Sequence, residues 1–160
     1  MINRFLIIAI SMALGAVVGL YFSKRLTRRA AYFDALMDLV NLFLSEMKFR
    51  KTTTKQVVAE FRDNSKTPLN TNLTEYINCT DFSNLKLSKG LLTENERIDV
   101  KKFLLSLGTS DSHTQIFELE NFKDRFLQMQ NTAQEKRKKY ASLYIKLGFL
   151  AGLALGIIII

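Results

Sequence analysis

Few residues in this chain have the chemistry of a catalytic or metal-binding group. His113 is the single histidine, and it stands beside Asp111 and Thr114. A metal site needs a second imidazole or a thiolate at a matching spacing, and none is near it. His113 therefore reads as a helix-start residue. Cys79 is the single cysteine, which excludes an internal disulfide and a cysteine-based zinc site and permits a reducing compartment. Gly108, Thr109 and Ser110 sketch a phosphate-binding turn, yet there is no GxxxxGKS/T run and no strand is indicated before the turn. No Ser-His-Asp arrangement can be argued, and Glu118 and Glu120 read as solvated helix faces. The expectation is a protein that is not an enzyme and takes no cofactor, metal or small-molecule substrate.

The charge pattern carries more. A net charge of +8 suggests nucleic-acid binding until the basic residues are located. Arg4, Lys24, Arg25, Arg28, Arg29, Lys136, Arg137, Lys138, Lys139 and Lys146 all lie beside an apolar run with no acid among them. From Ala31 to Glu135 there remain 13 Lys and Arg against 15 Asp and Glu, so phosphate-backbone binding by the centre of the chain has no electrostatic support. The surplus flanks membrane segments, where Lys and Arg set topology and attract anionic headgroups.

Those segments lie at the two ends. Phe5 to Phe22 is an uncharged run that as a helix spans about 27 Å, close to the ~30 Å of a hydrocarbon core. A cleavable signal peptide is the rival reading, and the dense basic cluster straight after the run resists translocation of the downstream chain. Leu147 to Ile160 alone falls about 9 Å short of a crossing. Extension back to Ser142 supplies the length, with Lys146 snorkelling to the headgroups and Tyr144 at the interface; a half-inserted hairpin or a buried core helix is the alternative. Both runs carry small residues four apart: Ser11, Gly15, Gly19 and Ser23 in the first, Gly148, Gly152 and Gly156 in the second. Such stripes let backbones approach closely in lipid, here against each other or against partner helices. The basic clusters Lys24, Arg25, Arg28, Arg29 and Lys136 to Lys139 both border the middle of the chain, which the positive-inside tendency places in the cytoplasm.

The middle is helical by its periodicity. No Pro or Gly interrupts the chain from Leu20 to Thr67, so the first anchor is expected to run into an amphipathic helix reaching about Phe49, with Phe33, Leu36, Met37, Val40, Leu44 and Met47 on one face and Leu39, Leu42 and Phe43 widening it. Lys55 to Arg62 reads as a short helix with Val57, Val58 and Phe61 inward, and Asp63 to Pro68 as a loop. A further short helix is expected around Leu73 to Cys79, with irregular chain after it. Thr93 with Glu96 forms a capping box ahead of Val100, Phe103, Leu104 and Leu107, and Gly108 stops that helix. Ser112 with Gln115 opens a last long helix whose seam is Leu119, Phe122, Phe126, Met129 and Ala133. The fold class expected is all-α: a long antiparallel helix pair with shorter helices packed on it, flanked by two transmembrane helices. The boundaries are anchors at 1–23 and 141–160 and a cytoplasmic helical domain at 24–140.

The pattern resembles the stage III sporulation protein AB family of endospore-forming bacteria, over nearly the whole chain. The resemblance rests on GAVVGLYFSKRLTRR, on LFLSEMKF closing the first long helix, on FLLSLGTSDSHTQ and on KYASLYIKLGFLAGLALGIIII. Leu107, Gly108, Asp111, Gln115, Tyr140, Leu147, Gly148, Phe149, Leu150 and Gly152 match the family pattern. Arg50, Thr53 and Thr54 depart from it, standing where the family usually has Gly, Pro and Leu. The resemblance implies a component of the assembly between mother-cell and forespore membranes, similar to the cytoplasmic helical domains of type II secretion platform proteins. Its implied partners are the membrane, the stage III sporulation protein AA ATPase and the assembly's integral membrane components. It implies a mother-cell membrane location and work by binding. A lipid-responsive adaptor or holin-like protein is the alternative from a different class.

Overall fold

A computed structural model of the chain describes residues 2–49, 53–79, 85, 87–88, 90–108 and 112–159. Among the described residues are five helices and no strand: α1 (Ile2–Phe49), α2 (Thr54–Asn64), α3 (Asn70–Asn78), α4 (Glu94–Ser106) and α5 (Ser112–Ile158). The all-α expectation holds, and the two longest helices carry the apolar termini. The chain divides into two compact units, Met1–Ala30 with Thr132–Ile160, and Ala31–Asn131.

The core of the central unit forms where the helical stripes of the sequence converge. Phe33, Leu36, Met37, Leu39, Val40 and Phe43 of α1 are buried, while Leu42, Leu44 and Met47 are half-buried. α4 contributes Val100, Phe103 and Leu104, and α5 contributes Leu119 and Phe126. Phe103 meets Phe126 edge to face with ring centroids 5.4 Å apart, and Phe122 packs beside both. Each such side chain contributes about 1.5–3 kcal/mol relative to exposure, so this interior supplies most of the driving force for folding the unit. A hydrogen bond of 2.7 Å from Gln130 Nε2 to Asp34 Oδ1 ties α5 to α1 across the antiparallel pair.

The short helices follow local rules. α4 opens with the capping box, in which Glu96 Oε2 accepts from the Thr93 N–H at 2.8 Å. α2 buries Val57 and Val58 and leaves Phe61 half-buried. α3 begins at Asn70, three residues before the expected Leu73, and ends at Asn78. The cause is Asn70 itself. Its carbonyl oxygen accepts from the Thr67 hydroxyl at 3.0 Å and the Ser65 hydroxyl at 3.2 Å, and its amide donates to the Arg62 carbonyl at 3.0 Å and to the Ser65 carbonyl. One side chain thus closes the end of α2 and the turn at Pro68, and α3 propagates from there. After α3, Leu85 and Leu87 are buried although no regular structure holds them.

Asn72 is a buried polar residue just ahead of the helix expected from the sequence. Its Nδ2 donates to the Tyr32 hydroxyl at 2.8 Å, and its Oδ1 accepts from the Ser88 N–H at 2.9 Å. This link pins the chain after α3 onto α1. Burial raises the Tyr32 pKa far above the phenol's ordinary value; the Asn72 hydrogen bond opposes the shift and the Glu96 charge adds to it. Burial raises Tyr76 in the same direction. A phenol becomes charged only on losing its proton, so a folded-state pKa above the unfolded value of 10.0 gives stability that is complete below that pH and lost as pH rises beyond it. Tyr32→Phe is expected to cost about 1–2 kcal/mol near neutral pH, because the Asn72 amide loses its buried acceptor. It should also flatten the loss of stability above about pH 10 relative to the parent. Unfolding of the detergent-solubilised full chain followed by circular dichroism across pH checks both.

Candidate membrane interface

The unit formed by Met1–Ala30 and Thr132–Ile160 is a two-helix hairpin whose seam is made of the small residues. A Cβ built on Gly15 would lie 2.8 Å from the Gly152 Cα, and one on Gly148 would lie 3.0 Å from the Gly19 Cα. Gly152 offers no more room, with Ser11 O at 2.6 Å and Met12 Cα at 2.9 Å from its would-be Cβ, and Gly156 faces the Ile8 Cα at 3.0 Å. Gly19 meets Tyr144 and Ile145 in the same manner. The obstructing atoms are backbone, which cannot swing aside as a side chain would. The Ser11 hydroxyl donates to the Gly152 carbonyl at 2.8 Å, adding a polar contact to the seam. Close approach of this kind is how helices associate in lipid, where apolar area alone gives no preference for a neighbour.

The outside of the hairpin is apolar. Phe5, Leu14, Val17, Val18, Leu150 and Ile157 are each more than half exposed, and both helices are long and apolar enough to cross a membrane. An exposed apolar surface of this extent in water would aggregate, whereas in a bilayer it needs no partner. Aromatic rings collect at one end: Phe22 lies 5.7 Å from Tyr144, Tyr21 5.8 Å from Phe22, and Tyr140 6.4 Å from Tyr144. Lys24, Arg25 and Arg28 are exposed immediately beyond them on α1, Arg29 is half-buried, and Lys136, Arg137, Lys138 and Lys139 are exposed on α5. Apolar band, aromatic ring and cations thus follow one another in the order of a bilayer core, its interface and its headgroups.

Residues 4–160 match the family model for stage III sporulation protein AB. The chain belongs to that family. No match was found among curated proteins or among solved structures. In this member of the stage III sporulation protein AB family, Leu107 and Gly108 follow the last residue of α4. Leu107 is buried, and Gly108 adopts φ 78°, the left-handed conformation that ends a helix with least strain when no Cβ is present. Gln115 is buried and its Nε2 donates to the Ser106 carbonyl at 3.3 Å, satisfying an acceptor left open where α4 stops. Asp111 lies outside the described residues, as do the side chains of Ser112 and His113 and the departure from the family pattern at Arg50. Thr53 stands at the N-terminal boundary of α2, its hydroxyl donating to Gln56 Oε1 at 2.6 Å and not accepting from the helix backbone, and Thr54 lies against Gly108, its Oγ1 2.8 Å from a Cβ placed there.

The central unit also bears a groove that helical periodicity does not reveal. Lys102, Ser106, Glu118, Asn121, Phe122 and Arg125 enclose about 310 Å³ between α4 and α5. Arg125 reaches Asp99 at 3.6 Å, and the Glu118 Oε2 is buried with no hydrogen-bond partner among the described residues. Phe117, one position before Glu118 on α5, is 65% exposed. The signal available in the sequence is limited to helical spacing: Glu118, Asn121 and Arg125 recur at three and four residues beside the core stripe. Among the described residues no cluster of His, Cys, Asp and Glu forms a set able to hold a metal ion.

Two substitutions test this geometry. Gly152→Leu should force α1 and α5 of the hairpin apart, at a cost of at least the ~1–3 kcal/mol of an overpacked core, without reducing helix content. Spin labels at the exposed positions Ile7 and Ile157, which the pairing of Ile8 with Gly156 places close in height, would report a longer and broader distance in that variant. Gly108→Ala should lower stability by about 1–2 kcal/mol through left-handed strain, with a further loss from crowding Thr54. In a Thr54→Ala background the crowding part should vanish and the strain remain, as read from unfolding midpoints.

Proposed function

We propose that the protein is a membrane-anchored platform component of a sporulation complex lying between mother cell and forespore. In this reading residues 1–23 and 141–160 cross the mother-cell membrane, and residues 24–140 face the cytoplasm and dock the complex's cytoplasmic ATPase and its integral membrane proteins. The observation that carries it is the division of surface. Among the described residues nearly all the exposed large apolar side chains lie in the hairpin unit, and its sequence holds ten of the Lys and Arg against one Glu. The central unit has a closed apolar core and a near-even charge, thirteen Lys and Arg against fourteen Asp and Glu. A domain so built fits protein contacts better than phosphate backbones. Membership of the stage III sporulation protein AB family supplies the biological setting. The α4–α5 groove, with Lys102, Arg125 and Glu118 around Phe122, offers charged and apolar groups together, as contact surfaces do.

Affinity purification of the full chain from sporulating cells should recover the stage III sporulation protein AA ATPase and the complex's membrane proteins. Glu118→Lys should weaken ATPase recovery at least about tenfold while leaving membrane insertion intact. Recovery of neither class of partner by the parent protein would remove the platform reading and leave the lipid-responsive adaptor.

A further inference from the structure

Lys146 is the cation of the hairpin that stands apart from both basic clusters, inside the apolar run of α5. It is exposed on α5, and the packing of Gly19 on Ile145 sets it at the height of Val18, within the apolar band. The single acid of this unit is Glu135, eleven residues earlier and beyond the basic cluster. An ammonium group in hydrocarbon is costly and calls for a partner.

The antiparallel register shows where that partner sits. Gly15 packs on Gly148 and Gly152, and Gly19 on Tyr144 and Ile145. Carrying the same pairing about one and a half turns along both helices brings Lys24 and Arg25 level with Lys138 and Lys139, and about one turn more brings Arg28 level with Lys136. The two clusters, far apart in sequence, therefore form one collar around the end of the hairpin. Lys139 and Lys146 are seven residues apart, which puts them within about 20° of each other on one helix face and about 10 Å apart in height. A lysine stem extends about 6 Å, so Lys146 reaches most of the way up to the collar. Its face turns away from the glycine seam, since Gly148 and Gly152 point to α1. Leu143 and Leu150, at 43% and 58% exposure, flank it with open apolar surface, and the Lys139 ammonium sits 5.4 Å from the Tyr140 ring centroid.

We propose that the face of α5 bearing Lys139 and Lys146 binds an anionic phospholipid, whose headgroup phosphate is held between the two ammonium groups while its acyl chains lie over Leu143 and Leu150. The collar supplies the long-range attraction, and Lys146 supplies selectivity by contacting the phosphate from the hydrocarbon side. The occupant is a lipid because the same face offers cations above and bare apolar surface below, the distribution of charge and grease in a phospholipid. The inference rests on the hairpin lying in a bilayer and not on the platform reading.

The test uses the full chain reconstituted in phosphatidylcholine vesicles, with insertion verified by resistance to alkaline carbonate extraction. Trace spin-labelled phosphatidylglycerol and spin-labelled phosphatidylcholine are compared for motional restriction at the protein surface. Phosphatidylglycerol should associate preferentially. Lys146→Leu should lower that preference by about 5-fold, the effect of one cation beside an anionic group, and Lys139→Gln with Lys146→Leu should lower it further, to the weaker level that the rest of the collar supplies. Lys146→Arg should retain it, Lys24→Gln should cost less than Lys146→Leu, and inorganic phosphate should not compete. Equal association of the two lipids would overturn the proposal, as would a preference indifferent to Lys146→Leu. A Lys24→Gln loss as large as that of Lys146→Leu would overturn it in favour of unspecific attraction, and competition by inorganic phosphate would overturn the lipid as source. Failure of carbonate resistance, by contrast, would show that the hairpin is not inserted.

Discussion

The contact on which the hairpin depends is backbone against backbone. At Gly15, Gly148 and Gly152 the two chains approach so closely that a single methyl group has nowhere to go. In water such a seam would be reinforced by expelling solvent from the surrounding leucines and isoleucines, but in lipid those side chains are equally content facing acyl chains. What remains is dispersion across the seam, with weak contacts to carbonyl oxygens and the Ser11 hydrogen bond. The rest of the arrangement inherits its geometry from this register. It fixes which residues share a height, and so gathers the aromatic rings at one end and brings Lys24 level with Lys139.

The central unit is organised on a different principle. There the interior excludes water, and buried polar groups must be satisfied one by one. Asn72 bridges Tyr32 and the Ser88 amide, Asn70 closes the turn before α3, and Gln115 covers the last open carbonyl of α4. Each is a side-chain amide, which can donate and accept at once, and each fastens a stretch that lacks the apolar area to hold itself in place. Helix-forming stripes provide the bulk of the stability, and these few amides select the path the chain takes between them.

Helical spacing is enough to read the α1, α4 and α5 core stripes, because Phe33, Leu36, Met37 and Val40, then Val100, Phe103 and Leu104, then Leu119, Phe122 and Phe126 recur three and four residues apart. The capping box at Thr93 and the stop at Gly108 are equally legible, since both are local: the residues that make them lie within one turn of chain. The start of α3 is misplaced by such reading because Asn70 acts through partners on both sides of Pro68, and propensity sees only an indifferent helix former there. Leu85 and Leu87 escape for a related reason, as burial without periodicity leaves no pattern to detect. In the hairpin, the two glycine stripes and the basic clusters are visible in the sequence, but which atoms meet is not. The height of Lys146 relative to α1, and the groove around Glu118, are properties of register and of paired helix faces, which a single line of residues does not contain.

The glycine seam has one more consequence. Because Gly15, Gly19, Gly148 and Gly152 are occupied with one another inside a single polypeptide, they are spent before any neighbour arrives. What the closed hairpin shows to other bilayer proteins is a rind of branched and aromatic side chains, among them Phe5, Leu14 and Leu150. Such a rind keeps strangers' backbones at arm's length, so lateral companions must be chosen by bulky, knob-like fitting. The hairpin is accordingly a finished part, already folded upon itself, and a neighbour could join or leave it without unpicking its interior.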